Sequence, residues 1–190
     1  MNVYDFDKTI FYPDSTFLFV MYCWFHHPLK MLKHFPAFFV MSIKMVFHKA
    51  TTKEMKEKLL AFLQDVDDVD ALVKKYWDDK WDHFEPWYFK QQQPDDLIIS
   101  ASPDITLKEA ARRIGFSLIA TTTDPATGKI QGENNSGAAK VARYRAEYGD
   151  TPIENFYSDS LKDTPMARLA KHAWLVDRGK MTPWPEEELK

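Results

Sequence analysis

Two carboxylates one residue apart, Asp5 and Asp7, close a short apolar stretch in Val3-Tyr4-Asp5-Phe6-Asp7-Lys8-Thr9. Side chains at i and i+2 of a strand share a face, so at a strand's end the pair can converge on one point. Neighbouring anions disfavour each other's ionisation unless a proton or a cation relieves them. A divalent cation is the simplest relief, and hard Mg²⁺ takes oxygen ligands. Taken alone, the pair is equally well a turn, because aspartate satisfies turn backbone locally.

Other polar residues follow at regular structural positions. Ser100 and Ser102 stand in Ile98-Ile99-Ser100-Ala101-Ser102, Asp159 and Asp163 in Ser158-Asp159-Ser160-Leu161-Lys162-Asp163, and Lys140 lies in a helical stretch between them. Each has a plainer role available. Serines and aspartates cap helices, acids complement helix N-termini, and a helical lysine usually sits in water. Yet all of them fall at expected strand ends or helix starts, where open α/β sheets place their sites.

The elements that must position these residues read as follows. Residues 2–6 predict a strand, and Pro13 to Ser15 a break with Asp14 or Ser15 as N-cap. The apolar run from Thr16 to His48 is interrupted by Pro28 and Pro36, predicting helices broken at both prolines. No uninterrupted segment reaches the roughly 18–20 apolar residues of a membrane span. Thr51 or Thr52 caps a further helix striped by Met55, Leu59, Leu60, Phe62 and Leu63, and another covers Val69 to His83. After Pro94, strands at 97–99, 116–121, 155–158 and 173–176 alternate with helices at 104–113, 136–148 and 164–171. Lys129 to Gly132 reads as a hairpin arm, and Pro183 to Lys190 as a loose end. Alternation implies a parallel sheet with right-handed crossovers. The expected architecture is a Rossmann-like three-layer α/β core, residues 1–15 and 93–190, with an all-helical insertion over 16–92.

The bulk numbers agree with a folded enzyme-sized chain. There are 190 residues, 45% hydrophobic and 28% charged, with a formal net charge of −3. That balance gives no reason to expect a nucleic-acid partner, which calls for a basic domain. One cysteine, Cys23, excludes an internal disulfide and reads as a buried small hydrophobe. Scarce cysteine and the lack of a basic n-region before an apolar stretch predict a cytoplasmic protein.

Taken together, DFDKT, the apolar-SxS segment, a lysine and DSxxD resemble the motif order of the haloacid dehalogenase superfamily. The chain is similar to the branch with phosphoserine phosphatases and bacterial phosphatidylglycerophosphatases, which carry a helical cap after the first motif. The run Asn134-Asn135-Ser136-Gly137-Ala138-Ala139-Lys140 resembles the segment bearing that family's lysine. The resemblance implies a Mg²⁺-dependent phosphomonoester hydrolase. Asp5 would be the nucleophile and Asp7 the acid and base. Ser100 would hydrogen-bond a phosphoryl oxygen and Lys140 would neutralise charge, with Thr9, Ala101 and Ser102 helping to hold the phosphate. Mg²⁺ would be held by Asp5, Asp159 and the carbonyl of Asp7, supported by Asp163. An acid at position 7 argues for a phosphatase over a dehalogenase, because an ester leaving group needs a proton and a halide does not. A phosphotransferase to another acceptor, or an idle scaffold of the same fold, would share most of these residues; the intact set argues against the scaffold.

The substrate is less legible. Phosphoserine phosphatases carry a glutamate and an arginine in the early cap; here that region offers Asp14, and the first arginine is Arg112. The early cap instead holds Phe17, Phe19, Trp24, Phe25, Phe35, Phe38 and Phe39 with Lys30, Lys33 and Lys44. These aromatics are either the cap's own core or a surface for a lipid tail or for the inner face of an anionic membrane. The expected substrate is therefore a small or lipid-linked phosphate ester. His26, His27, His34 and His48 fit no common metal-ligand spacing.

Overall fold

A computed structural model describes all residues 1–190. Six strands form one sheet in the order β3-β2-β1-β4-β5-β6: β1 (Asn2–Tyr4), β2 (Leu97–Pro103), β3 (Ser117–Thr121), β4 (Ile153–Ser158), β5 (Ala170–Asp177) and β6 (Lys180–Pro183). All neighbours are parallel except β5 and β6. Cover on both faces is clearest in β2, where Leu97, Ile98 and Ile99 follow one another and all are buried.

Alternation along β1 builds both faces. Val3 packs with Leu97, Ile99 and Phe156 on the face covered by α7 (Ala138–Tyr148) and α8 (Thr164–Ala167). Tyr4 joins Ile98, Tyr157 and Leu107 of α6 (Asp104–Ile114) on the other face. The Tyr4 and Tyr157 rings stack there at 4.7 Å. The first strand ends at Tyr4 rather than residue 6, although the Asp5 amide still donates to the Tyr157 carbonyl at 2.8 Å.

Between β1 and β2 the chain is helical: α1 (Ser15–His26), α2 (Pro28–Val46), α3 (Thr52–Leu60), α4 (Val69–Lys80) and α5 (Pro86–Gln91), with 3₁₀ turns at Ala61–Asp65 and Trp81–His83. Asp14 caps α1 by accepting from the Phe17 amide at 2.8 Å. Thr51 and Glu54 form a reciprocal capping box on α3. The insertion is welded to the sheet by an aromatic cluster of Phe6, Phe11, Trp77 and Phe84, with Phe11 and Trp77 edge to face at 5.2 Å. A row of polar contacts along α3 fixes its register on the core. Lys53 donates to the Gly132 carbonyl, Glu57 accepts from the Ile130 amide, and Lys56 reaches Ala101 and Asn134.

Four expectations need correction. Helix α2 runs through Pro36; both Pro36 and Leu32, whose carbonyl loses its helical donor, are exposed, so water can satisfy that oxygen. The expected helix over 164–171 is a single turn, because Ala170 already pairs with Ile153 of β4. Lys129 to Gly132 makes one bridge, Thr123 with Ile130, instead of a hairpin arm. The C-terminal segment is docked: Thr182 pairs with Leu175, and the buried Trp184 donates its indole N–H to Thr164.

Candidate active site

Asp5, Asp7, Ala101, Ser102, Lys140, Asp159 and Asp163 line one cavity of about 530 Å³ at the C-terminal edge of the sheet, beneath the helical insertion. Strands β1, β2 and β4 end there side by side, and so they deliver the two N-terminal aspartates, Ser102 and Asp159 together. Lys140 comes from the first turn of α7. Gly137 lets that helix approach the 161–163 turn, since a Cβ there would lie 3.3 Å from the Lys162 carbonyl at a φ of +54°.

Lys140 is almost fully buried and its ammonium bridges two carboxylates, Asp5 Oδ1 at 2.7 Å and Asp163 Oδ2 at 2.6 Å. Ser158 donates to the same Asp163 oxygen at 2.9 Å. Burial alone would lower the Lys140 pKa; the flanking Asp5 and Asp163 charges reverse that and raise it. Burial pushes the Asp5 carboxyl up to about 7 against the opposing pull of Lys140.

Asp7 is held differently. One oxygen accepts from the Ser15 amide at the start of α1, at 2.6 Å, and the other from the Ser102 hydroxyl. Burial, with the Asp14 charge nearby, raises its pKa to about 6, while the Ser102 and Ser15 donors pull it down. Ser102 also meets the Thr16 hydroxyl at 3.0 Å, so this side chain ties the end of β2 to both Asp7 and the cap.

The remaining expected residues sit behind the cavity wall. Ser100 is buried, and its hydroxyl accepts from the Ser102 amide at 3.0 Å. Thr9 is fully buried with no partner for its hydroxyl. Four residues with clear roles had no assigned part in the sequence reading. Buried Asn135 donates to the Ser100 and Ile119 carbonyls, joining neighbouring strand ends. Ser158 steadies Asp163, and Thr16 meets Ser102. Lys56 extends from the cap to the Ala101 carbonyl at 2.7 Å and Asn134 Oδ1 at 2.8 Å, its pKa lowered by burial. Asn135 stands in the run that ends at Lys140, and Lys56 lies four residues before Leu60 in α3.

No three Asp, Glu, His or Cys side chains form a preformed metal cluster. The donor chemistry nonetheless suits a hard cation. The acidic lining supplies oxygen only, with no histidine or cysteine. Asp159 receives no hydrogen bond from another residue, and burial raises its pKa, so its charge is incompletely compensated.

Residues 3–168 match the haloacid dehalogenase-like hydrolase family, and the chain belongs to it. No curated protein matches the chain by sequence. Among solved structures, a protein of unknown function from Bordetella pertussis Tohama I superposes with a TM-score of 0.72 at 17% identity, over 91% of this chain and 87% of that one. A HAD family hydrolase from Salmonella enterica serovar Typhi gives 0.61 at 15% identity, over 88% of this chain and 59% of that one. A phosphoserine phosphohydrolase-like protein from Francisella tularensis SCHU S4 gives 0.53 at 14% identity, over 91% and 86%. At these identities the likeness is one of fold: an α/β core with a helical cap.

Proposed function

We propose that the protein is a Mg²⁺-dependent phosphomonoesterase working through a phospho-aspartyl intermediate. The observation that carries this reading is the bridge of Lys140 between Asp5 and Asp163, in the cavity that Asp7 and Asp159 also line. An Asp5 oxygen attacks phosphorus and the ester P–O bond breaks. The leaving oxygen takes its proton from the Asp7 carboxyl, whose raised pKa keeps a protonated fraction near neutrality. Asp7, now ionised, takes a proton from water as that water attacks phosphorus, and the bond to Asp5 breaks to release phosphate. Lys140 holds Asp5 in place and offsets charge during both displacements. Asp5, Asp159 and the Asp7 carbonyl would hold Mg²⁺, with Asp163 behind them. When bound, the cation would neutralise phosphoryl charge.

The test is phosphate release from p-nitrophenyl phosphate, phosphoserine, sugar phosphates and phosphatidylglycerophosphate in micelles, with Mg²⁺ and with Asp5→Asn as the blank. Release above the blank supports the reading. Wild-type rates from Asp5→Asn would remove the nucleophile assignment.

The cap surface favours an anionic lipid surface as a partner. Of the seven early-cap aromatics only Phe19 is buried, while Phe17, Phe25, Phe35 and Phe39 are exposed. Along α2, Leu29, Leu32, Phe39, Ile43 and Val46 form an exposed stripe at helical spacing. No acidic residue occurs between Asp14 and Glu54, against five lysines, of which Lys30 and Lys33 pair with Asp67 and Asp65 and Lys44 and Lys49 make no ion pair. No helix is long and apolar enough to cross a membrane, so the fitting mode is α2 lying in the interface. Co-sedimentation with anionic but not neutral vesicles at low salt is expected. Absence of binding to both, or a dimer burying α2, would contradict it.

A further inference from the structure

The cap contains a second cavity of about 310 Å³ among α1, α2 and α3. Its walls are apolar, built mainly by Val20, Met21, Trp24, Phe35, Phe38 and Phe62. Of its two polar lining residues, His34 is already engaged by Asp65 at 2.5 Å, and Lys58 is an exposed residue of α3. Protein interiors leave few voids larger than a water, whereas ligand pockets begin at roughly 300 Å³.

This cleft adjoins the candidate active site. Phe17 and Leu59 line both cavities, so two side chains form the wall between them. Phe17 is 59% exposed and Phe35 43%, leaving aromatic rings at the surface where they are not packed away. The cavity beneath is polar, with Asp5, Asp7, Lys56 and Lys140 along its wall. A charged cavity and an oily cleft thus lie side by side, with Phe17 and Leu59 between them.

We propose that the substrate is a phosphate monoester bearing a single apolar chain. Its phosphoryl group sits at Asp5, and its chain passes Phe17 and Leu59 into the cleft. This rests on the phosphatase reading and narrows its substrate class. The polar groups of an amino-acid or sugar ester would find little to pair with in the cleft, whose polar lining is His34, already held by Asp65, and Lys58. A chain removes apolar surface of both partners from water.

The experiment measures kcat/KM for linear alkyl phosphates from methyl to octyl, below their micelle-forming concentrations. The expected result is a rise of up to about fourfold per methylene, levelling once the cleft is full. Met21→Trp, which fills the cleft, should abolish the rise while leaving methyl phosphate turnover unchanged. Phe35→Ser, at the exposed mouth, should reduce the rise without challenging the fold. A flat series with good turnover would overturn the apolar chain and leave the phosphatase standing. An undiminished rise in both variants would place the chain outside the cleft and overturn the proposal as well. Binding of octyl phosphate to Asp5→Asn, followed by calorimetry, separates the two readings. Should no ester turn over, the phosphatase reading falls. The cleft assignment then survives only if octyl phosphate binds and Met21→Trp removes that binding.

Discussion

Replacing Lys140 with methionine should destabilise the metal-free protein far more than loss of a surface charge. The ammonium is 2% exposed and contacts Asp5 at 2.7 Å and Asp163 at 2.6 Å. Methionine fills similar space but leaves two buried carboxylates facing each other. Removing one partner of a buried ion pair costs about 3–5 kcal/mol, and each kcal/mol moves the melting temperature of a chain this size by about 2–4 °C. The expected drop is therefore roughly 6–20 °C, read by calorimetry with chelator present. The sign of the pH dependence follows from Asp5. Its carboxyl is already pushed up to about 7, and losing Lys140 pushes it further. A raised carboxyl pKa means the folded state prefers the protonated acid, so stability falls as pH rises from the unfolded aspartate value toward the folded one. The penalty of Lys140→Met should thus be largest above neutrality and shrink in acid. Adding Asp5→Asn should recover part of the loss, because the two sites share one interaction. A penalty below about 1 kcal/mol, typical of an exposed pair, would refute the buried bridge.

Three further outcomes are expected. Lys56→Met removes two charged hydrogen bonds between cap and core and should lower the urea unfolding free energy by about 1.5–3 kcal/mol; an unchanged midpoint would show that the cap is held elsewhere. Gly128→Ala should cost about 1–3 kcal/mol, because the new Cβ would lie 2.4 Å from the Leu60 carbonyl oxygen at a φ of +70°. Wild-type stability in guanidinium would contradict that close approach. Mg²⁺ affinity should weaken as pH falls through about 7, where Asp5 takes up a proton; calorimetric titrations that agree across this range would remove that carboxylate from the cation's site.

The core and the acidic residues were legible because their signals are local. Asp5 and Asp159 stand directly after apolar strands, and parallel pairing of β1 with β4 brings such ends together wherever the sheet forms. The function of Ser102 depends on a helix from the cap: its contact to Thr16 spans 86 residues. Asn135 joins strand ends that only the finished sheet makes neighbours. Lys56 is ordinary helix surface until α3 docks on the loop after β3. Pro36 misled because the rule against proline inside helices is strict only where the freed carbonyl is hidden from water. The tail reads as loose because it is a chain terminus, yet Trp184 anchors it in the core.

The most direct test of the mechanism is to trap the intermediate. Asp7→Asn protein, mixed with p-nitrophenyl phosphate and Mg²⁺, is quenched in acid, digested and mapped by mass spectrometry. The account predicts one hydroxylamine-labile phosphoryl group on Asp5, formed while turnover stalls. Phosphate on any other residue, or steady turnover with no phosphoprotein, would contradict it.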